Sequence, residues 1–172
     1  MLEKYPVIFL DFDGVLTARD TTPGSYLSNS GEDYGMSERC YGFLTDLISA
    51  SDAKVVITSN WRRYQPDGVW SSLEFGQFKN PLPKLLDRLG DLYVGSLPKT
   101  RHVTKSQALR IWADENRIDT DELNYVIFDD DRREGFQDSE FARHFVLTNS
   151  DVGLTREDCE KAVCILGYHS RK

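Results

Sequence analysis

The feature that most constrains this chain is an apolar run near the N-terminus that ends in two aspartates. Residues 7–10 read Val-Ile-Phe-Leu, and Asp11, Phe12, Asp13 and Gly14 follow them. The run does not alternate polar with apolar residues, which predicts a strand that is buried on both faces. Parallel α/β sheets bind ligands at the carboxyl ends of their strands, so both carboxylates are expected at the mouth of the sheet. Because two close acids repel unless a cation or a proton lies between them, we interpret the pair as a metal-assisted site.

Composition limits the classes of protein that this chain can represent. A length of 172 residues with 40% hydrophobic and 28% charged residues predicts one globular domain over residues 1–172. The formal net charge of −7 argues against broad, non-specific binding to nucleic acid or to an anionic membrane. No signal peptide or membrane-spanning run is recognisable, and the three cysteines form no C-x-x-C pair. These features predict a cytoplasmic protein with reduced thiols.

Helical and strand patterns alternate along the rest of the chain. Ser37 is expected to cap a helix that runs to about residue 51, and residues 54–58 form a second buried strand. Later helices are predicted to begin near Pro81, Thr104 and Thr155, and later strands to cover residues 92–95, 123–128 and 144–147. The order β-α-β-α-β-α-β-β-α predicts a three-layer, Rossmann-like α/β domain with a mainly parallel central sheet.

Three more specific expectations concern the last helix and two segments of weak periodicity. The last helix is predicted to bury Cys159, Ala162, Val163 and Leu166. Residues 17–35 are interpreted as a flap or small lid over the site, with a disordered surface excursion as the alternative. Residues 62–80 are interpreted either as a second lid element or as a helix that packs on the domain. Both segments are short, which predicts a small cap or none.

Three of the predicted strands end in polar side chains that can react. Asp11 and Asp13 follow the first strand, Ser59 the second, and Asp129 with Asp130 a later one, while Lys105 begins a helix. Parallel strands present all their carboxyl ends at one edge, so these groups are expected to converge. Oxygen ligands of this kind suit a hard cation, above all Mg²⁺. Lysine, hydroxyl and metal together suit a phosphoryl group, whose transfer needs charge stabilisation and alignment.

With these residues, the chain resembles the phosphatase-type members of the haloacid dehalogenase (HAD) superfamily. Asp-Phe-Asp-Gly-Val-Leu-Thr at residues 11–17 matches the first motif of that family, and the apolar strand that ends at Ser59 matches the second. Lys105 fits the third motif, and the strand that ends in Asp129 and Asp130 fits the fourth. Trp61-Arg62 and Gly153-Leu154-Thr155 resemble a subgroup of compact HAD domains that includes modules of phage and bacterial RNA repair proteins.

The resemblance implies a role for each motif residue. Asp11 would attack phosphorus and form an aspartyl-phosphate, and Asp13 would act as general acid and base. Mg²⁺ would be held by Asp11, by the main-chain carbonyl of Asp13, and by Asp130, with Asp129 binding it directly or through water. The phosphoryl oxygens would be held by Ser59, Asn60 and Lys105.

Several of these assignments have rivals in the sequence. Thr58 competes with Ser59 for the hydroxyl role, and Lys99 and Lys84 compete with Lys105. Which of Asp129, Asp130 and Asp131 bind the metal is left open. Glu134 is interpreted either as an acid that supports the site or as a salt-bridge partner of Arg132 or Arg133.

The segment after Ser59 has its own alternatives. Trp61 and Tyr64 are expected to pack in the core or to stack on a base or sugar. The basic residues around the site are expected either to make its mouth locally basic or to be solvated surface charges. They are Arg62, Arg63, Lys99, Arg101 and Arg132.

The leading functional hypothesis is therefore a Mg²⁺-dependent phosphomonoester hydrolase. Within that class, a nucleotide or the end of a nucleic acid is an alternative substrate. A non-catalytic HAD-like binding domain and a phosphomutase-like transferase are further alternatives. The expected partner is a phosphorylated substrate rather than a membrane, and the sequence predicts no protein partner.

Overall fold

The computed structural model describes residues 4–18, 35–64, 74–75, 78–79, 81–100 and 102–169. Within these ranges the strands, in chain order, are β1 (Val7–Leu10), β2 (Lys54–Ile57), β3 (Glu74–Phe75), β4 (Phe78–Lys79), β5 (Tyr93–Ser96), β6 (Tyr125–Asp129) and β7 (Phe145–Leu147). The α-helices are α1 (Glu38–Ser51), α2 (Leu82–Leu89), α3 (Lys105–Asn116) and α4 (Arg156–His169). Much of the predicted lid sequence, at residues 19–34 and 65–73, lies outside the described residues.

Five of the strands form one sheet in the order β5-β2-β1-β6-β7, and all its neighbouring strands are parallel. The first strand is therefore central, and its four residues are fully buried, as the uninterrupted apolar run predicts. The short strands β3 and β4 form a separate antiparallel pair. The predicted α/β fold with a parallel central sheet is confirmed.

Alternation along the strands divides the core into two layers. Ile8 and Leu10 belong to a cluster that also contains buried residues of α1, α2 and α4. Val7 and Phe9 point to the other face, where their cluster contains Ala108, Leu109 and Trp112 of α3. Successive residues of a strand face opposite sides of the sheet, so each face has its own helical cover. This is the three-layer architecture that the sequence predicts.

The helix ends follow the predicted capping residues. Ser37 precedes α1 and accepts a hydrogen bond from the Cys40 amide, while Thr104 and Gln107 form a complete capping box at α3. Thr155 and Asp158 form the corresponding reciprocal pair before α4, since the Asp158 amide donates to Thr155 Oγ1 and the Thr155 amide to Asp158 Oδ2. The helix after Pro81 ends at Gly90, as expected.

One expectation about α4 is wrong. Val163 was predicted on the buried face, but it is 48% exposed, whereas Ala162 and Leu166 are buried. At about 100° per residue, Val163 lies about 80° from the middle of the face that contains Ala162 and Leu166, so it is buried only if the covered face is wide. In the part of the chain that the structure describes, no helix is long and apolar enough to cross a membrane.

Candidate active site

The loop after β1 is held in a tight turn by its own main chain. The amides of Leu16 and Thr17 donate to the Phe12 carbonyl, and the Gly14 amide donates to Thr17 Oγ1 at 2.9 Å. Gly14 has φ +64°, a conformation that costs other residues about 1–2 kcal/mol. From a distant loop, the Thr148 hydroxyl donates to the Gly14 carbonyl at 2.8 Å. The turn therefore fixes the main-chain positions from which the side chains of Asp11 and Asp13 project.

The alternation of β1 and β6 turns two acids toward the N-terminus of α3. Asp129 ends β6 on the same face as Tyr125 and Ile127, and Asp11 continues the alternation of Val7 and Phe9. Lys105, the first residue of α3, places its Nζ 2.7 Å from Asp11 Oδ2 and 2.7 Å from Asp129 Oδ2. Its rivals Lys99 and Lys84 are exposed. Of these three lysines, Lys105 is the one that the structure brings to the acids.

Burial and neighbouring charges shift the pKa values of Lys105, Asp129 and Asp130. Burial lowers the pKa of Lys105, but the charges of Asp11 and Asp129 outweigh it and raise that pKa above its ordinary value. Burial, followed by the nearby charge of Asp11, raises the pKa of Asp129 to about 8 despite the Lys105 ammonium. The same two causes raise the pKa of Asp130. With one ammonium for three acids, the group favours a further positive charge.

The carboxylates of these three acids could bind one cation together. Asp11, Asp129 and Asp130 each offer an oxygen within 4.8 Å of the others. Among the described residues, the buried Asp11 Oδ1 has no hydrogen-bond partner. A Cβ at Gly14 would lie 2.3 Å from Asp130 Oδ2, so the glycine leaves the space that the Asp130 carboxylate fills. An all-oxygen donor set with an unsatisfied buried oxygen fits a hard divalent cation such as Mg²⁺.

The other acids near this group have different contacts. The Asp13 carboxylate is not part of the three-acid group, and its Oδ2 accepts a hydrogen bond from Trp61 Nε1 at 2.8 Å. Asp131 caps the following 3₁₀ turn and forms an ion pair with Arg133 at 2.8 Å. These local partners occupy Asp131, whereas its neighbours Asp129 and Asp130 face Asp11.

The residues after β2 form the other side of the site. Thr58 and Ser59 are both fully buried, so burial does not separate the two candidates for the hydroxyl role. Ser59 Oγ accepts a hydrogen bond from the Trp61 amide at 3.3 Å, and the hydroxyl keeps its own proton for another acceptor. The buried Thr58 Oγ1 has no hydrogen-bond partner among the described residues. The Asn60 side chain donates to Glu134 Oε1 at 3.4 Å.

Arg62 does not have either of its expected roles. It is 1% exposed, and its guanidinium donates to the main-chain carbonyls of Thr58, Ser59 and Leu97. It is therefore neither a solvated surface charge nor part of a basic mouth. A guanidinium has five N–H donors in a fixed fork, and this geometry lets it satisfy several carbonyls that end neighbouring strands.

Glu134 has a role that the sequence only suggested. Its Oε2 accepts a hydrogen bond from the main-chain amide of Lys105 at 2.7 Å, and its Oε1 is the acceptor for Asn60. Glu134 therefore ties the start of α3 to the loop after β2, and the salt bridge in this turn joins Arg133 to Asp131 instead. A glutamate four residues after the paired acids Asp129 and Asp130 was the available sequence signal, but its partners lie 29 and 74 residues away.

A parallel α/β sheet whose central strand ends in aspartates beside a lysine and an acidic pair is the arrangement of a HAD-like hydrolase domain. A family model described as the HAD domain in Swiss Army Knife RNA repair proteins matches residues 7–159. The chain belongs to this family, which confirms the resemblance to HAD domains and to the RNA-repair subgroup. Membership indicates a phosphatase-like function of the hydrolase class. No curated protein and no solved structure matches the chain.

Proposed function

We propose that this chain is a Mg²⁺-dependent phosphomonoester hydrolase that works through an aspartyl-phosphate on Asp11. The observation that carries the proposal is the state of the Asp11 carboxylate. Lys105 holds its Oδ2 at 2.7 Å, while its buried Oδ1 has no hydrogen-bond partner among the described residues. A buried carboxylate oxygen without a partner is costly to maintain unless it meets a ligand, and an oriented one is suited to attack phosphorus.

The reaction divides into two steps with residues in fixed roles. Asp11 attacks phosphorus, the bond to the leaving oxygen breaks, and Asp13 supplies a proton to that oxygen. Asp13 then removes a proton from water as it attacks the aspartyl-phosphate, which releases phosphate and restores Asp11. The transferring oxygens are held by Ser59, Asn60 and Lys105.

Mg²⁺, bound by Asp11, Asp129, Asp130 and the Asp13 carbonyl, would offset the repulsion between a carboxylate and a phosphate dianion. The raised pKa values of Asp129 and Asp130 support this assignment, since both acids resist ionising even beside the Lys105 ammonium and a further cation would favour their charged forms.

Phosphate release from p-nitrophenyl phosphate with Mg²⁺ tests the proposal. We expect Asp11→Asn to abolish turnover, because the amide cannot act as the nucleophile, and a chelator to abolish turnover by the wild type. Asp114→Asn is the matched control, since Asp114 is exposed on α3. Turnover that persists in Asp11→Asn would contradict the nucleophile assignment.

The family favours a second, narrower candidate: a phosphatase that acts on nucleotide or nucleic-acid ends. Its support is the description of the matching family as a domain of RNA repair proteins. Kinetics with 5′- and 3′-phosphorylated oligonucleotides, mononucleotides and sugar phosphates test it. We expect a higher kcat/KM for one of the oligonucleotide ends, and equal values for all four classes would argue against this substrate.

A further inference from the structure

The Asp13 carboxylate has a neighbour whose role the motifs do not assign. Trp61 Nε1 donates a hydrogen bond to Asp13 Oδ2 at 2.8 Å, across 48 positions of the chain. An indole N–H only donates, so it holds Oδ2 as an acceptor. A carboxylate oxygen that accepts such a hydrogen bond is less basic, which favours proton exchange with a substrate at the second oxygen, Oδ1. The hydrogen bond from Trp61 therefore restricts the orientation of the Asp13 carboxyl and makes its two oxygens unequal.

Trp61 is itself held firmly enough to orient another side chain. It lies in the 3₁₀ turn Asn60–Tyr64, and its ring packs against the core cluster on the α1 face of the sheet. Its amide donates to Ser59 Oγ at 3.3 Å. The next residue is the buried Arg62, whose guanidinium bonds to the carbonyls that follow β2 and β5. The turn is thus anchored to the sheet on both sides of Trp61.

We propose that Trp61 is a positioning residue that aligns the Asp13 carboxyl with the leaving-group oxygen of the substrate. This inference rests on the proposed phosphatase mechanism and adds a residue to it. A positioned general acid contributes about 10²- to 10⁴-fold when the leaving group needs a proton. The geometric requirement is strict, because a small misplacement of the donor removes much of that gain.

A positioning role for Trp61 predicts a dependence on the leaving group that simple packing does not. A leaving group that is stable as an anion, such as p-nitrophenolate, departs without a proton. An alkoxide such as that of benzyl alcohol requires one. Loss of the Trp61 N–H should therefore slow hydrolysis of an alkyl phosphate far more than hydrolysis of an activated aryl phosphate. A general loss of folded protein would slow both equally.

The experiment compares kcat/KM of the full chain with Mg²⁺ on benzyl phosphate and on p-nitrophenyl phosphate. This ratio is the appropriate measure because it reports the step that expels the leaving group. For Trp61→Phe, which keeps an aromatic ring but has no N–H, we expect a loss of about 10- to 100-fold on benzyl phosphate. On p-nitrophenyl phosphate we expect a loss below about threefold, since no general acid is needed there. Trp112→Phe, in the core on the α3 face, is the matched control and should change both substrates equally.

A second measurement tests the contact without turnover. In ¹H–¹⁵N spectra, the indole resonance that Trp61→Phe removes should move upfield in Asp13→Ala and exchange faster, while the Trp112 indole resonance stays in place. Equal losses on the two substrates, or a Trp61 resonance that Asp13→Ala does not move, would overturn the positioning role. If the wild type hydrolyses neither ester, or if Asp11→Asn remains active, the phosphatase proposal fails instead, and the spectra still decide the contact.

Discussion

Two buried cations lie at the same edge of the sheet, and their surroundings differ. Lys105 is 3% exposed and donates to the carboxylates of Asp11 and Asp129. Arg62 is 1% exposed and donates to main-chain carbonyls that follow β2 and β5. The net charge around a carboxylate changes when a proton, a metal ion or a substrate binds, whereas a main-chain carbonyl contributes a fixed dipole. Lys105 therefore belongs to the charge balance of the site, and Arg62 to its framework.

The largest expected effect comes from removing the ammonium of Lys105. We expect Lys105→Met to lower kcat/KM for p-nitrophenyl phosphate by about 10²- to 10³-fold, because a preorganised charge on the transferring group is lost. Steady-state kinetics with Mg²⁺ measure the change. Lys99→Met is the matched control, since Lys99 is exposed, and a comparable loss there would transfer the role to Lys99.

The next effect is on stability and comes from Arg62. We expect Arg62→Met to lower the free energy of unfolding by about 3 kcal/mol, because several buried carbonyls lose their donor. Urea denaturation measures this change. Arg110→Met is the control, since its ion pair with Glu140 is half-exposed and worth at most about 1 kcal/mol. If Arg62→Met proves as mild as the control, the framework role is wrong.

Added Mg²⁺ should stabilise Lys105→Met and Arg62→Met to different extents, with a difference of about 1 kcal/mol in the free energy of unfolding. Lys105 lies among the acids of the proposed metal site and competes with a bound cation, so its loss should strengthen Mg²⁺ binding. We expect Mg²⁺ to stabilise Lys105→Met more than the wild type, by about 1 kcal/mol at saturating metal. For Arg62→Met the increment should equal that of the wild type within about 0.5 kcal/mol, as for independent sites. Thermal unfolding with Mg²⁺ and with chelator measures both, and equal increments in all three proteins would remove the distinction.

The smallest effect concerns the position of Lys105 rather than its charge. Glu134 accepts the Lys105 amide at 2.7 Å, so Glu134→Ala should let the start of α3 shift while the ammonium remains. We expect kcat/KM to fall about three- to tenfold, which corresponds to one hydrogen bond. Glu140→Ala removes an exposed acid that pairs with Arg110 and should leave kcat/KM unchanged. A loss as large as that of Lys105→Met would show that position and charge cannot be separated.

Much of the fold could be predicted because its signals are local. An uninterrupted apolar run gave the buried central strand, and capping residues such as Ser37 and Thr104 marked the helix starts. The orientation of Val163 could not be predicted in this way. Its spacing fits the apolar pattern of α4, but the width of the buried face depends on what α4 packs against.

The sequence by itself determined the family, the parallel α/β sheet and the edge at which the reactive groups collect. Only the tertiary structure decided that Lys105 rather than Lys99 meets Asp11, that Arg62 is buried, and that Trp61 holds Asp13. The physical reason is distance along the chain. Periodicity and capping act between near neighbours, whereas the partners of Lys105 lie 24 and 94 residues away. Burial and pairing across such separations arise only when the sheet brings the strand ends together.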